Sequence, residues 1–273
     1  MRHAVGRFRK KRRPLTTSIP VFALSVLAFG AAIMLPWLMK GTVAPDASLV
    51  DGVQGKQRSL LLLVHDGHDE LTAAVVIHTD TRTLSVQVTG YPAQTEVACG
   101  TDLSTLGRRY AEEGVAVGQY LSALSGEAYD ATLRMSVSGI AAFVAECGGG
   151  VVYTLPEPIG RLPLGEQTLS SLQVADVLRY DGWMQNLTGR AEAHAGIVTA
   201  IINRYLVSSR DLEALFKSLT AFCEDSISIA QFSAVRDELE ALAGANRGAI
   251  CRACVPAGRA VGYGEDRRFV VEG

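Results

Sequence analysis

The alternation of apolar and polar residues predicts an α/β domain that begins near Ser59. The run SLLLLV (59–64) is continuously apolar between polar residues, which is typical of a strand buried on both faces. Residues 73–90, AAVVIHTDTRTLSVQVTG, predict a second strand, a polar turn around Asp80 and a third strand near Leu84–Val88. These strands form a predicted hairpin, and the positions expected in the middle of the sheet are Leu61, Leu63, Val75, Ile77, Val86 and Val88.

Helical patterns alternate with further strands along the rest of the chain. Residues 101–126 have apolar positions at helical spacing, with a break near Gly114. Residues 131–156 predict a short strand, a helix from about Ser138 to Glu146, a glycine-rich stop and another strand. Later segments predict helices at 171–180, 189–207, 209–222 and 228–242, the last with a capping box at Ser228-x-x-Gln231, and an edge strand at 267–271. This order favours a three-layer α/β/α fold with a central mixed sheet.

One segment is far more apolar than the rest of the chain. Residues 19–39, IPVFALSVLAFGAAIMLPWLM, contain no charge, and 21 residues of helix at about 1.5 Å each can span a hydrocarbon core of about 30 Å. A buried core helix of this length would normally show a polar face, which this run lacks. The pattern therefore predicts a transmembrane helix, followed by a linker of small and polar residues at 40–58.

The distribution of charge predicts the orientation in the membrane. Residues 1–18 form a basic tail whose first 13 residues hold seven Lys or Arg and no acid, so the positive-inside rule keeps the N-terminus in the cytoplasm. Everything after Lys40 is then extracytoplasmic. A cleaved signal peptide is the main alternative, although its apolar region usually has only about 7–15 residues. Residues 14–273 carry 19 basic and 28 acidic residues, a net charge of −9, which speaks against nucleic acid as a partner.

The five cysteines give no metal motif. Cys251 and Cys254 have C-x-x-C spacing, but neither a second such pair nor a nearby histidine follows, which argues against zinc at this pair. The odd number leaves at least one free thiol in an extracytoplasmic domain. A disulfide that involves Cys251 or Cys254 and plain buried thiols are both consistent with the sequence.

Several stretches resemble the LytR-CpsA-Psr family, membrane-anchored extracytoplasmic proteins of mainly Gram-positive bacteria. Residues 73–97, AAVVIHTDTRTLSVQVTGYPAQTEV, have the family's two strands before a proline motif, here Pro92. Residues 130–156, DATLRMSVSGIAAFVAECGGGVVYTLP, resemble the family's strand and helix before a Gly-Gly turn and a further strand. SLQVADVLRY and GRAEAHAGIVTAIINR place Arg179 and Arg190 at positions of functional arginines in the family. The resemblance covers residues 59–207, with 208–273 as C-terminal helices and edge strand of the same domain.

This resemblance implies transfer of a polyprenyl-pyrophosphate-linked glycopolymer to peptidoglycan or another envelope acceptor, with a divalent metal such as Mg²⁺. Arginine binds such a diphosphate through its planar fork, and a carboxylate binds the metal. The candidate pyrophosphate ligands are therefore Arg179 and Arg190, and the candidate metal ligand is Asp66. Ordinary alternatives exist: Asp66 begins a loop, Arg179 complements a helix dipole, and Arg190 is a solvated helix residue. His65 and His68 flank Asp66, but two histidines and an aspartate in a loop are more often solvated than bound to a metal.

The sequence departs from the family pattern at most of the charged positions. Five positions that carry an arginine or aspartate in the family are occupied here by other residues: Thr72, Ala93, Gln94, Asp181 and Ala193. At a sixth position, Glu70 replaces a family arginine and so reverses the sign of the charge. Phosphoryl transfer depends on charge neutralisation, so these losses favour a protein that binds lipid-linked glycopolymer, or scaffolds wall assembly, with weak or no catalysis. The alternative is an active phosphotransferase with a rebuilt site. In both cases membrane lipid, glycopolymer and peptidoglycan are the expected partners.

Overall fold

A computed structural model describes residues 56–180, 182–183, 186–206, 211–225, 229–244, 251–262 and 266–272. The predicted transmembrane helix at 19–39 and the predicted cap at Ser228 lie outside these ranges. Among the described residues, no helix is both long enough and apolar enough to cross a bilayer. All of the described residues belong to one compact unit.

Strands and helices alternate through the described chain. The strands are β1 (Gln57–His65), β2 (Leu71–Asp80), β3 (Ser85–Pro92), β4 (Glu96–Cys99), β5 (Asp102–Thr105), β6 (Ala131–Ser136), β7 (Val151–Leu155), β8 (Gly165–Leu169), β9 (Cys251–Cys254), β10 (Gly258–Val261) and β11 (Arg268–Val271). The helices are α1 (Leu106–Glu113), α2 (Gly118–Ser125), α3 (Val137–Glu146), α4 (Ser171–Leu178), α5 (Leu187–Ile201), α6 (Leu212–Phe222) and α7 (Ile229–Gly244). A 3₁₀ turn at Gly114–Val117 separates α1 from α2, and a π-helical turn at Ile202–Leu206 ends α5.

A five-stranded mixed sheet forms the centre, in the order β6-β1-β2-β3-β9. The hairpins β1–β2 and β2–β3 are antiparallel, whereas β6 and β9 run parallel to their neighbours β1 and β3. Within the described ranges, three separate two-stranded ribbons, β4–β5, β7–β8 and β10–β11, lie outside this sheet. The mixed α/β class predicted from the sequence is confirmed.

Helices cover both faces of the sheet because its strands are apolar on both sides. Leu62 and Val64 of β1 face one core cluster, which contains Ile140 of α3, Val174 of α4 and Ile197 of α5. Alternate residues of the same strand, including Leu61 and Leu63, face a second cluster with α1 and α2. The period of two in a strand therefore distributes one continuous apolar run between two cores.

One expectation needs correction: Ile77 is half-buried rather than buried, because it lies toward the polar end of β2. The predicted C-terminal strand is β11, which pairs with β10 in a ribbon, whereas β6 and β9 are the edge strands of the central sheet. All five cysteines are free, which is one of the two alternatives that the sequence left open. Cys251 and Cys254 cannot bond to each other, since three residues of extended chain separate their Cα atoms by about 10 Å, beyond the roughly 7 Å limit of a disulfide.

Candidate functional site

The carboxyl end of β1 brings several chain segments together at one edge of the sheet. His65, the last residue of β1, is opposite Ser136 of the parallel strand β6 and Leu71 of β2. Ala73 of β2 is opposite Pro92 of β3, so the proline motif lies at the same edge. The loop 66–70 and the N-terminal end of α1 border this edge as well. In α/β sheets the carboxyl ends of strands commonly carry the functional loops.

Asp66 organises the loop that follows β1. Its Oδ1 accepts hydrogen bonds from the backbone N–H of His68 at 2.8 Å and of Glu70 at 2.9 Å. The backbone N–H of Asp66 in turn donates to the carbonyl of Glu70. Partial burial by itself would raise the pKa of Asp66, but these two N–H groups hold it below its ordinary value. One carboxylate oxygen is therefore committed to the loop, as the turn-residue alternative predicted.

His65 is buried rather than solvated, with 2% of its surface exposed. Its ring stacks on Tyr110 of α1, with centroids 6.5 Å apart and an interplanar angle of 24°. Nδ1 lies 2.7 Å from the carbonyl oxygen of Asp66 and 3.4 Å from Oδ1 of Asp69. On the other side of the ring, Nε2 lies 2.7 Å from Oε1 of Glu224.

Glu224 and Asp225 reach this edge from the segment after α6. The backbone N–H of Glu224 donates to the carbonyl of Arg134, and so extends the pairing of the edge strand β6. The guanidinium of Arg134 donates to both oxygens of Asp225, at 3.0 and 3.3 Å, and its Nη1 lies 3.7 Å from Glu224. The hydrogen bonds that Arg134 donates to Asp225 raise the pKa of this guanidinium, so it stays charged. The result is a fixed cluster of charges beside His65.

Arg190 lies at the same edge but on the opposite face of the sheet. It belongs to the first turns of α5, and its carbonyl oxygen lies 2.8 Å from Nδ1 of the fully buried His194. Nε2 of His194 is 3.1 Å from the hydroxyl of Thr72, which donates to the carbonyl of Val64. Burial lowers the pKa of His194 to about 4, so this histidine is neutral. A hydrogen-bonded path thus fixes the start of α5 against the ends of β1 and β2.

Arg179 is the exposed C-cap of α4. The indole N–H of Trp183, which lies between α4 and α5, donates to the carbonyl of Val177 near the end of α4. Arg179 and Arg190 therefore flank one helix–helix connection. The expectation that their guanidiniums converge on a single ligand stays a prediction.

Two positions at which the family pattern has arginine are closed by packing. Ala193 is fully buried in α5, and Ala93 is 7% exposed. The carbonyl of Ala93 accepts from the N–H of Gly107 at 2.7 Å, so α1 begins directly against it. Gln94 is held by the C-terminal ribbon, because its carbonyl accepts from the N–H of Phe269. The missing charges have thus been replaced by close contacts of backbone and small side chains.

Structural comparison gives the relatives of this fold. A protein of Eubacterium siraeum matches with a TM-score of 0.69 and 14% identity over 85% of this chain and 94% of that chain. Bacillus subtilis TagV matches with a TM-score of 0.66 and 15% identity over 81% of this chain and 92% of that chain. TagT bound to LI-WTA matches with a TM-score of 0.62 and 13% identity over 82% of this chain and 88% of that chain. TagV and TagT are LytR-CpsA-Psr proteins. The chain has the LytR-CpsA-Psr fold. No protein-family model matches its sequence, and neither does any curated protein.

Relative to the LytR-CpsA-Psr pattern, the sequence alone indicated Asp66, Arg179 and Arg190 but missed the cluster around His65. The apolar run SLLLLV appeared to end at Val64, so His65 looked like the first residue of a polar loop. Glu224 lies 159 positions away and comes close only because its segment pairs with β6. The sequence feature that could have indicated this cluster is the pair of acidic residues Glu224 and Asp225 just after a predicted helix. Such acidic pairs are common on solvated surfaces, so this one drew no attention by itself.

Proposed function

We propose that this chain is a membrane-anchored extracytoplasmic protein that binds a polyprenyl-pyrophosphate-linked glycopolymer, or scaffolds wall assembly, with weak or no catalysis. The observation that supports the ligand class is the shared fold with TagT, which has been solved bound to LI-WTA. Arg190 and the first turn of α5 suit an anion, because a helix N-terminus and a guanidinium fork both favour negative charge. Arg179 supplies a second, solvent-accessible guanidinium across the α4–α5 connection.

We expect weak catalysis because uncharged residues occupy positions at which the family pattern has charged groups. Ala93 and Ala193 contribute no cation and leave no room for one. Thr72 replaces a carboxylate, and its hydroxyl is committed to the Val64 carbonyl. Each charge-stabilising group of a transition state is typically worth about 2.7–4 kcal/mol. Binding needs fewer such groups than turnover, so a binding protein is the function these residues support best.

A Mg²⁺ ion at Asp66 stays a prediction, and few oxygen ligands are available for it there. Asp66 has one oxygen committed to backbone N–H groups, and Thr72 is a hydroxyl where a second carboxylate would be needed. Magnesium prefers near-octahedral oxygen coordination with at least one or two carboxylates. We therefore assign no step of the proposed function to a metal at this point.

Binding of lipid-linked pyrophosphate by single-arginine variants tests the proposal. The full-length protein is titrated with undecaprenyl pyrophosphate in detergent micelles. We expect Arg190→Ala and Arg179→Ala each to weaken binding by about 1.5–3 kcal/mol, or roughly 10- to 150-fold, the range for hydrogen bonds to charged groups. Arg161→Ala, which removes an exposed arginine elsewhere, is the matched control and leaves affinity unchanged.

Turnover assays distinguish the two functions. The proposed binding protein releases no polyprenyl-linked product when it is incubated with a lipid-linked glycan, peptidoglycan and a divalent metal. Metal-dependent release would establish the active phosphotransferase instead. Equal affinity of the wild type and both arginine variants would refute the assignment of Arg179 and Arg190.

A further inference from the structure

The tautomer of His65 is set by its backbone contact. A carbonyl oxygen only accepts hydrogen bonds, so the nitrogen that lies 2.7 Å from the carbonyl of Asp66, Nδ1, carries the proton. In the neutral ring, Nε2 then presents its lone pair. A backbone carbonyl that holds the second nitrogen in this way is the usual arrangement around histidines that bind metals through the opposite nitrogen.

The lone pair of Nε2 faces a carboxylate. Oε1 of Glu224 is only 2.7 Å away, yet this buried Nε2 makes no hydrogen bond, because the oxygen lies off the direction of a ring N–H. A simple histidine–glutamate hydrogen bond would be aligned. Two electron-pair donors held close together without a proton on the line between them suit a cation that contacts both.

A third donor completes the set. One ligand atom from each of His65, Asp69 and Glu224 lies within 4.8 Å of the other two. Oδ1 of Asp69 now lies 3.4 Å from Nδ1, so the carboxylate has to turn toward Nε2 to reach an ion bound there. Its side chain is 82% exposed and has room for the movement that metal bonds of about 2.0–2.2 Å require. With Asp225 and Arg134 included, three carboxylates face one guanidinium, and the surplus of negative charge suits a divalent ion.

Tyr110 borders the same cluster. Only 4% of this residue is exposed, and the charges of Arg134, Glu224 and Asp69 all act on its hydroxyl. Burial raises the pKa of Tyr110, and a hydrogen bond from Arg134 acts in the opposite direction. Arg134 is therefore the partner of this hydroxyl, and the case for an ion rests on His65, Asp69 and Glu224.

We infer that His65, Asp69 and Glu224 form a binding site for a divalent transition-metal ion, with Nε2 of His65 as the nitrogen ligand. An imidazole with two carboxylates is a donor set for Zn²⁺ or Mn²⁺, whereas Mg²⁺ prefers oxygen alone. Three protein ligands leave coordination positions for water. The site is distinct from the predicted one at Asp66 and does not depend on the proposed glycopolymer function.

Titration of the untagged full-length protein with Mn²⁺, followed by the loss of the free-ion EPR signal, tests the site. We expect one Mn²⁺ per chain, displaced by buffered Zn²⁺ at far lower free concentration than by Mg²⁺. Glu224→Gln and Asp69→Asn each weaken Mn²⁺ binding at least tenfold. The matched control is Glu213→Gln, an exposed glutamate on the neighbouring helix α6 that pairs only with Lys217 among the described residues.

Three results would each overturn the site. They are the absence of Mn²⁺ binding, binding that Glu224→Gln and Glu213→Gln affect equally, and displacement by Mg²⁺ as readily as by Zn²⁺. The last result would mean that the ligands are oxygen alone. Circular dichroism of each variant confirms that the fold is retained, and both substituted carboxylates lie at least one-third exposed, so the amides are tolerated.

Discussion

At the scale of the residue, His194 couples the stability of the domain to pH. Its pKa is lowered by burial to about 4 in the folded protein, against about 6.5 in an unfolded chain. The unfolded state therefore binds the extra proton first, and stability is lost as pH falls from about 6.5 toward 4. The full effect is about 3 kcal/mol, of which about 1 kcal/mol appears between pH 7 and 5.5.

Replacement of His194 by glutamine isolates this contribution. The amide can still reach Thr72 but does not titrate, so we expect the free energy of unfolding of His194→Gln to change by about 1 kcal/mol less than that of the wild type between pH 7 and 5.5. Urea denaturation of the full-length protein followed by tryptophan fluorescence measures the difference. Parallel pH dependences of the two proteins would show that His194 is not the titrating group.

The packing around Ala93 and Ala193 indicates that a single substitution of either alanine by the family's arginine would destabilise the protein. An arginine at 193 would enter a fully buried position of α5 without a partner, and an unpaired buried charge typically costs several kcal/mol. An arginine at 93 would meet Gly107 at the start of α1, where even a methyl group on the glycine would lie 3.4 Å from the Ala93 Cβ. Both positions are therefore packed in a way that excludes an arginine side chain.

At the scale of the element, the position of α5 depends on a glycine of β3. A Cβ on Gly90 would lie inside the van der Waals distance of the Ala191 carbonyl and 3.2 Å from the Cβ of Ala195. Only a residue without a side chain lets the helix lie this close to the sheet. Because Arg190 precedes Ala191, the same contact sets the distance between the backbone of Arg190, a candidate pyrophosphate-binding residue, and the strands below it.

Gly90→Ala is therefore expected to destabilise the protein by about 1–3 kcal/mol, the usual cost of overpacking, and to weaken pyrophosphate binding as well. Gly67→Ala is the control, since nothing lies within 4 Å of its added methyl group. Thermal unfolding and the lipid titration measure the two effects. If both substitutions behave alike, the close approach of α5 is not a constraint.

The elements that the sequence predicted well are those with local signals. Strands β1 to β3 follow from apolar runs joined by a short polar turn, and α3 to α6 from helical spacing. Strand β9 was missed because CRAC is only four residues long and pairs with β3, some 165 positions earlier. The ribbons β4–β5 and β10–β11 were missed as pairs for a related reason: they are short, largely exposed and carry no strong alternation.

The candidate site divides in the same way. Asp66, Arg179 and Arg190 could be named because a family pattern fixes their positions along the chain. The grouping of His65 with Glu224 could not, since it depends on a backbone hydrogen bond between Glu224 and Arg134 that no local pattern indicates. Pairing between distant segments is the information that the sequence pattern lacks.

At the scale of the whole molecule, the basic tail and the apolar run predict that the folded domain lies outside the membrane. We expect alkaline phosphatase fused after Gly273 to be active in cells, because the Lys and Arg residues before the span hold the N-terminus inside. A matched fusion of a reporter that works only in the cytoplasm is expected to be silent. The reverse pattern of activities would invert the topology.

The absence of disulfides has a consequence for the chemical durability of such a protein. Oxidants and other thiols react with the thiolate, and burial raises the pKa of Cys223 and Cys251 to about 11, so only about one molecule in ten thousand carries that thiolate at pH 7. Cys147 is shifted in the same direction by burial. These three sulfurs are therefore slow to react with oxidants and other thiols. Burial in this way protects three of the five free thiols without any cross-link.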